Sequence, residues 1–279
     1  MRTKNIPMMA LLLGLTLPAY AGHFTVSFCE FSRERPEVPY EATTFEQDDL
    51  IEATRMRWDN EEVESAAACA LLIADETLPF ELRCWAVRKK MTLDAYARRH
   101  LEALDTGRAW LRDHGESDPN ALYIRRVLTH IIARRCRFEE HLTYGLDNIQ
   151  AIFEDFFENH PADNLYVINA HYNYGDVLRR WAAVDEELRY EAAMHFFMAS
   201  EAITEYMARE DIHQSRRERC ERFLIECRSS TANLLSERWT PSPRDQRTAA
   251  QFSEQQKSDQ EPASKKEAAP ETAGGDNTP

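Results

Sequence analysis

A short piece of sequence occurs twice in the middle of the chain, and this repeat restricts the possible folds more than any other feature. Residues 105–123 read DTGRAWLRDHGESDPNALY and residues 147–166 read DNIQAIFEDFFENHPADNLY, with matching Asp, Ala and Pro positions 42 residues apart. Repeats of this period are typical of stacked helical hairpins, because each unit buries its apolar face only against its neighbours. We therefore predict an all-α chain that folds as an α-solenoid of stacked antiparallel helical hairpins.

Three prolines mark the same period along the chain. Pro79, Pro119 and Pro161 stand 40 and 42 residues apart. Proline is tolerated in the first turn of a helix, where its missing N–H would be unpaired in any case. The spacing therefore predicts two helices between successive prolines. The two apolar stripes expected between Pro119 and Pro161 consist of Ile124, Val127, Leu128, Ile131 and Ile132, followed by Leu142, Leu146, Ile149, Phe153 and Phe156.

The first 21 residues have the pattern of a secretory signal peptide. Arg2 and Lys4 precede an apolar run over residues 8–17, and Ala19-Tyr20-Ala21 supplies the small residues of a cleavage site. This run is shorter than the roughly 20 residues that a membrane-spanning helix needs. The pattern predicts that residues 1–21 are removed and that the protein is exported, to the periplasm or the medium, without a membrane span.

The far end of the chain lacks the composition of a folded core. Residues 240–279 contain one aromatic residue, Phe252, and no Leu, Ile or Val. Such a segment buries too little apolar surface to offset the entropy that is lost on ordering, which predicts a disordered tail. The chain between the two ends divides into an N-terminal arm with an acidic helix, residues 22–59, and a helical-repeat domain, residues 60–239.

The charge of the chain excludes one class of partner. The formal net charge is −14. Proteins that bind nucleic acid gain much of their affinity by neutralising phosphates with Lys and Arg, so a chain this acidic is not expected to bind DNA or RNA. Pairs of adjacent arginines do recur, as at Arg125-Arg126, and their regular spacing fits the solvated faces of helices.

Several residues between positions 60 and 210 share the spacing of a known family. They are Ala192, Phe196 and Ala199, Phe153 with Pro161, Tyr174-Gly175 with Leu178, and the stretch CALLIADETLP at 69–79. Over residues 60–210 the chain resembles tetratricopeptide repeats. That family repeats every 34 residues, whereas this chain repeats every 40–42, and Arg180 stands where a small residue would be expected. The resemblance implies a concave groove that binds peptides or protein segments; an α-solenoid of another type is the alternative.

We expect the groove to be lined by the first helix of each unit. Counting from each proline places eight residues on one face of these helices: Arg83, Lys90, Tyr123, Arg126, His130, Tyr166, Asn169 and Asn173. Stacking would join six of them into a ladder of donors that suits an acidic segment or the carbonyls of an extended peptide. The six are Arg83, Lys90, Arg126, His130, Asn169 and Asn173. Residues 41–65, with nine acidic residues against Arg55 and Arg57, are a candidate occupant from the same chain or a second copy. The alternative is an ordinary solvated face.

No motif in the sequence points to an enzyme. The chain has no Walker A loop, no GxSxG and no HExxH, and it has only eight glycines. His171 with Cys136, or residues 139–141, could be drawn as metal ligands, but the nine histidines are scattered. We therefore predict no metal site and no cofactor.

The predicted function is that of an exported scaffold that binds a protein or peptide segment in the bacterial cell envelope. The first alternative is an envelope assembly factor or chaperone, which would hold unfolded clients in a wider and more apolar groove. The second is a helical-bundle enzyme, which buried and converging carboxylates or histidines would favour.

The six cysteines allow one disulfide to be predicted, because export would expose them to oxidation. Cys220 and Cys227 lie seven apart on one predicted helix, a rise of about 10 Å that a disulfide does not span. Cys69 precedes the turn at residues 76–79 and Cys84 follows it, each by about two helical turns. Antiparallel helices would bring these two level, which predicts a Cys69–Cys84 disulfide; two buried free thiols are the alternative.

Overall fold

The computed structural model describes residues 62–160, 165–209, 212 and 214–264. All regular structure in these residues is helical, with ten α-helices, one π-helical turn and no strand, so the prediction of an all-α fold is confirmed. The predicted signal peptide and the N-terminal arm at residues 22–59 lie outside the described residues.

The helices follow one another with short connections. In chain order they are α1 Glu62–Ala74, α2 Phe80–Tyr96, α3 His100–His114, α4 Ala121–His130, the π-helical turn Ile131–Arg135, α5 Phe138–Tyr144, α6 Leu146–Asn159, α7 Leu165–Trp181, α8 Leu188–Met207, α9 Gln214–Leu234 and α10 Pro243–Ser264.

Most helices pack on their neighbours in the chain. The most extensive contacts join α1 to α2, α2 to α3, α7 to α8, and α8 to α9, whereas α4 packs on α6 and α7, and α10 lies against α5. The main core runs from Cys84 on α2 to Ala249 on α10. A smaller cluster, which includes Leu72 and Trp85, seals α1 onto α2.

Pro79 and Pro119 stand where the sequence predicted helix starts, but the second unit has more helices than expected. Pro79 immediately precedes α2, and the two helices predicted before Pro119 are α2 and α3. After Pro119 the chain forms three helices, because Gly145 separates α5 from α6. Its φ of 87° and ψ of 145° are angles that glycine adopts and other residues avoid.

The hairpin of α7 and α8 contains several of the residues on which the family resemblance rests. Ala192, Phe196 and Ala199 are buried on α8. A side chain at Gly175 on α7 would place its Cβ 3.2 Å from the Ala192 carbonyl oxygen and from the Phe196 ring. Glycine at this position therefore allows the two helices to approach closely.

The prediction that the whole of residues 240–279 is disordered is wrong for α10. The Ser242 hydroxyl accepts a hydrogen bond from the backbone N–H of Asp245 at 3.1 Å, and Pro243 occupies the first helical position. Ala249 is buried in the main core, and Phe252 packs against it. Composition alone misjudged this segment, because a helix cap and a few small apolar contacts suffice to dock a helix of good helix formers. Residues 265–279 lie outside the described part.

The predicted disulfide between Cys69 and Cys84 is absent. All five cysteines of the described chain are free and buried. Cys69 packs in the small cluster between α1 and α2, whereas Cys84 faces the main core, so the two side chains belong to different parts of the interior. Burial raises the pKa of each thiol to about 12, which leaves almost no reactive thiolate at neutral pH.

Two histidines meet inside the α7–α8 hairpin. The Nδ1 atoms of His171 and His195 lie 2.9 Å apart, so one ring donates a hydrogen bond to the other. Phe157 stacks on His171 with ring centroids 4.3 Å apart, and the edge of Tyr174 meets His195 at 4.5 Å. Burial lowers the pKa of both imidazoles to about 4, so both are neutral at pH 7.

We predict that Gly145→Ala destabilises the protein by about 1–3 kcal/mol, because alanine would be strained at a backbone conformation of this kind. Urea unfolding followed by circular dichroism measures the change. Thr143→Ala, at an exposed position two residues away, is the control and should change stability by no more than about 0.5 kcal/mol. Equal effects of the two substitutions would contradict the role assigned to Gly145.

We predict that stability falls as the pH is lowered from about 6.5 to about 4. In this window the unfolded chain protonates His171 and His195, whereas burial keeps the folded-state pKa of both rings near 4. Protons therefore favour unfolding, and full stability returns above pH 6.5.

The variant His195→Asn keeps an amide near the position of Nδ1 but does not titrate. Removing one such proton should reduce the pH dependence of the unfolding free energy by up to about 1.4 kcal/mol per pH unit within the window. Urea unfolding at several pH values measures both slopes. If the unfolding free energy of the variant depended on pH as strongly as that of the parent, protonation of His171 and His195 would not be the cause of the acid sensitivity.

Candidate functional site

Two arginines and two tyrosines alternate across three helices. The Arg126 guanidinium lies over the ring of Tyr166, 4.2 Å from its centroid, and over that of Tyr123, at 4.9 Å. Arg88 also lies over the Tyr123 ring, 5.9 Å from its centroid. We refer to Arg88, Tyr123, Arg126 and Tyr166 as the Arg–Tyr row. Such contacts hold a guanidinium by the negative face of the ring.

Helix packing brings the row together. Tyr123 and Arg126 are three residues apart on α4, so they share one face of that helix. Tyr166 stands in the first turn of α7, which packs on α4. Arg88 extends from α2 and donates a hydrogen bond to the Asn120 side chain at 3.3 Å. The row therefore crosses α2, α4 and α7, which are the first helices of the three units.

The two guanidiniums of the row have no salt bridge in the part of the chain that the structure describes. Within the described ranges, neither Arg88 nor Arg126 has an ion pair with a carboxylate, and the Nε atom of each is buried without a hydrogen-bond partner. The neighbouring Arg125 is different, because its Nε donates to Asp155 at 2.9 Å. In a chain with a net charge of −14, the row is a local site that attracts an anion.

A cleft of about 340 Å³ opens between α1, α2 and α3. Arg83 and Lys90 line it together with Trp110. Arg83 donates to the Ile73 carbonyl at 3.0 Å and lies over the Trp110 ring at 5.6 Å, while Lys90 is held by Asp94 at 2.6 Å. Both cations are therefore already engaged by the protein, so the cleft is a weaker anion site than the row.

The structure divides the predicted donor ladder into three groups. Arg83 and Lys90 line the cleft, and Arg126 belongs to the row together with Tyr123 and Tyr166, which the sequence placed on the same helix faces. The remaining three residues of the ladder are His130, Asn169 and Asn173.

The continuous ladder is a wrong prediction at α7. Asn169 and Asn173 are buried, because α7 is covered by α4 on one side and α8 on another. The Asn173 amide has no hydrogen-bond partner among the described residues. Half-buried His130 lies near Arg135, Arg134 and Arg126, and its pKa is lowered to about 4, mainly by burial and also by these charges. None of the three residues is an available donor on a groove.

Sequence reasoning missed Arg88. It follows Pro79 by nine residues, and the equivalent position after Pro119 is Leu128, which is buried. The residue therefore has no counterpart in the repeat, and no periodic signal could have identified it. Its place in the row depends on its contacts with Tyr123 and Asn120, which only the packing of α2 near α4 creates.

A second group of side chains has the composition of a metal site. His100, Cys136 and Glu140 come from different elements, and their ligand atoms all lie within 4.8 Å of one another. His100 Nδ1 and Glu140 Oε1 share a hydrogen bond of 2.8 Å. This group lies outside the Arg–Tyr row and was not among the combinations of residues that the sequence suggested.

In the described part of the chain, no helix is long and apolar enough to cross a membrane. No protein-family model matches the sequence, and no curated protein and no solved structure matches it either. The resemblance to tetratricopeptide repeats therefore rests on the residues of this chain, among them Gly175 and Phe196, and what the site does has to be inferred from its own contacts.

Proposed function

We propose that the protein is an exported helical-repeat scaffold of the bacterial cell envelope, which binds an acidic peptide or protein segment along the Arg–Tyr row. The observation that carries this proposal is the pair of guanidiniums, Arg88 and Arg126, that are stacked on aromatic rings and have no carboxylate partner in the described chain. The rings hold the guanidiniums in place and leave their remaining N–H groups for a ligand.

The chemistry of the row favours carboxylates. Arginine presents a planar fork of donors that can bind a carboxylate through two parallel hydrogen bonds. Each hydrogen bond to a charged group contributes about 1.5–3 kcal/mol when it is protected from water. The overall negative charge of the chain opposes an acidic ligand only at long range, because salt screens charges beyond about 8 Å at physiological ionic strength. Close contacts in the row therefore decide the affinity.

Features of the sequence and of the helix packing together support export and a solenoid of repeated hairpins. The pattern of residues 1–21 supports export. The extensive contacts of α1 with α2, α2 with α3, and α7 with α8 suit a solenoid, in which each unit packs mainly on its neighbours. The close approach at Gly175 suits hairpins like those of tetratricopeptide repeats. These features support an extended binding surface rather than one enclosed pocket.

We do not propose an enzyme. His171 and His195 do converge, but both rings are buried and packed against Phe157 and Tyr174. A substrate would have to open the core of the α7–α8 hairpin to reach them. Their arrangement is explained by packing and by the single hydrogen bond between the two rings.

A specific observation keeps the chaperone as a second candidate. Met194, Phe197 and Met198 form an exposed apolar stripe on α8, and each side chain is at least 40% exposed. Flexible, methionine-containing surfaces adapt to many partners. This stripe could hold unfolded clients, whereas the Arg–Tyr row would hold a defined acidic segment.

We predict that Arg88→Glu together with Arg126→Glu weakens binding of a labelled peptide of alternating Glu and Phe by at least tenfold in fluorescence anisotropy. The loss corresponds to about 1.4 kcal/mol, less than one charge-assisted hydrogen bond contributes. The control is Arg228→Glu with Arg238→Glu, which makes the same change in net charge at exposed positions. Equal weakening in both variants, with both folded, would place the binding site elsewhere.

For the second candidate, we predict that Met194→Glu with Phe197→Glu abolishes any ability of the protein to suppress aggregation of reduced lysozyme, as measured by light scattering. The control replaces two exposed apolar residues on α1 and α4, Val63→Glu with Leu122→Glu. A parent protein that does not suppress aggregation at all would exclude the chaperone function and leave the scaffold proposal intact.

A further inference from the structure

We propose that His100, Cys136 and Glu140 form a binding site for a zinc-class divalent metal ion. His100 is 36 and 40 residues away from Cys136 and Glu140 in sequence, yet the ligand atoms of all three lie within 4.8 Å of one another. His100 begins α3, Cys136 follows the π-helical turn, and Glu140 stands in the first turn of α5. The inference is independent of the proposed binding of an acidic segment, because it concerns different residues.

Irregular backbone precedes two of the three ligands, His100 and Cys136. Arg98, two residues before His100, has a φ of 61°, which non-glycine residues seldom adopt. The π-helical turn Ile131–Arg135 ends directly before Cys136, and such turns are frequent at functional sites. Strained backbone costs energy, so it persists only where the contacts of the surrounding structure stabilise it, and it is frequent at functional sites. Here both irregular segments end at the same cluster.

The Glu140 carboxylate is oriented by the backbone as well. Its Oε2 accepts a hydrogen bond from the Arg137 N–H at 2.6 Å, while Oε1 lies 2.8 Å from His100 Nδ1. One oxygen is thus fixed by the start of α5, and the other points to the imidazole. A bound metal ion would take the place of the proton that Glu140 and His100 now share.

The donor set selects the class of ion. A thiolate, an imidazole nitrogen and a carboxylate oxygen are the ligands that Zn²⁺ uses in proteins, usually four in a tetrahedron. Calcium and magnesium prefer oxygen ligands alone, so the thiol and the imidazole argue against them. Three protein ligands leave the fourth position for water, which is the arrangement of an open zinc site rather than a closed structural one.

Cys136 distinguishes a metal site from a simple contact between helices. The hydrogen bond between His100 and Glu140 would by itself hold α3 to α5. A buried thiol beside that pair adds nothing to the hydrogen bond, but it completes a set of three ligands. The decisive experiment therefore measures whether the Cys136 sulfur bonds to a metal.

The experiment uses the full-length reduced protein and Co²⁺, which substitutes for Zn²⁺ and gives a thiolate-to-metal absorption band. We expect one Co²⁺ to bind per chain with this band, Zn²⁺ to remove it, and Mg²⁺ in excess to leave it unchanged. Cys136→Ser should abolish the band, and Glu140→Gln should weaken Co²⁺ binding at least tenfold. Cys69→Ser, which alters a buried thiol in the other cluster, should behave like the parent.

Several outcomes would overturn the site. The parent protein could bind no Co²⁺, or bind it without a thiolate band, or keep the band in Cys136→Ser. Circular dichroism shows whether each variant is folded. If a variant does not fold, the Co²⁺ spectrum of the parent protein and its competition with Zn²⁺ are sufficient to test the site. Failure here leaves the peptide-binding experiment unaffected, since Arg88 and Arg126 are intact in all of these variants.

Discussion

Burial of the middle of α7, on all sides of the helix, is the constraint on which the rest of the structure depends. Every residue from Val167 to Leu178 is buried, so α4, α6 and α8 have to cover this helix from different sides. A helix enclosed in this way is normally apolar all round. This one is not, and its buried polar residues are Asn169, His171, Asn173 and Asp176. The neighbouring helices must therefore match both its shape and its hydrogen-bonding groups.

The partners of these polar groups fix where the neighbours lie. His171 pairs with His195 on α8, and the hydroxyl of Tyr172, in the same stretch, donates to Glu226 on α9. Asp176 is neutralised within α7 itself, by Arg179 and Arg180. The Asn173 amide has no partner in the described structure, and an unpaired buried amide costs about 1–3 kcal/mol. Polar matching thus sets the register of α8 and α9, whereas apolar packing alone would allow them to slide.

The sequence repeat predicted most helices and part of the candidate site, because both depend on spacing along one chain. Tyr123 and Tyr166 occupy matching positions of the repeat, and they meet across Arg126. Helix boundaries that depend on a single residue were not predicted. Gly145 divides a predicted helix through its backbone angles, and Ser242 caps a helix in a segment that composition marked as disordered. The contacts across helices that complete the row, and those that gather the metal ligands, have no periodic signal at all.

The free thiols of the core have a consequence for how the chain has to fold. If the protein is exported, it meets an oxidising compartment with cysteines that no disulfide protects in the described fold. Burial then protects these thiols from oxidation, but only after the helices have packed around them. Folding would have to be faster than oxidation of the thiols. A chain that stays unfolded for longer would form disulfides that are absent from the native structure and that prevent correct folding. Speed of burial, rather than the final stability, would set the yield of intact protein.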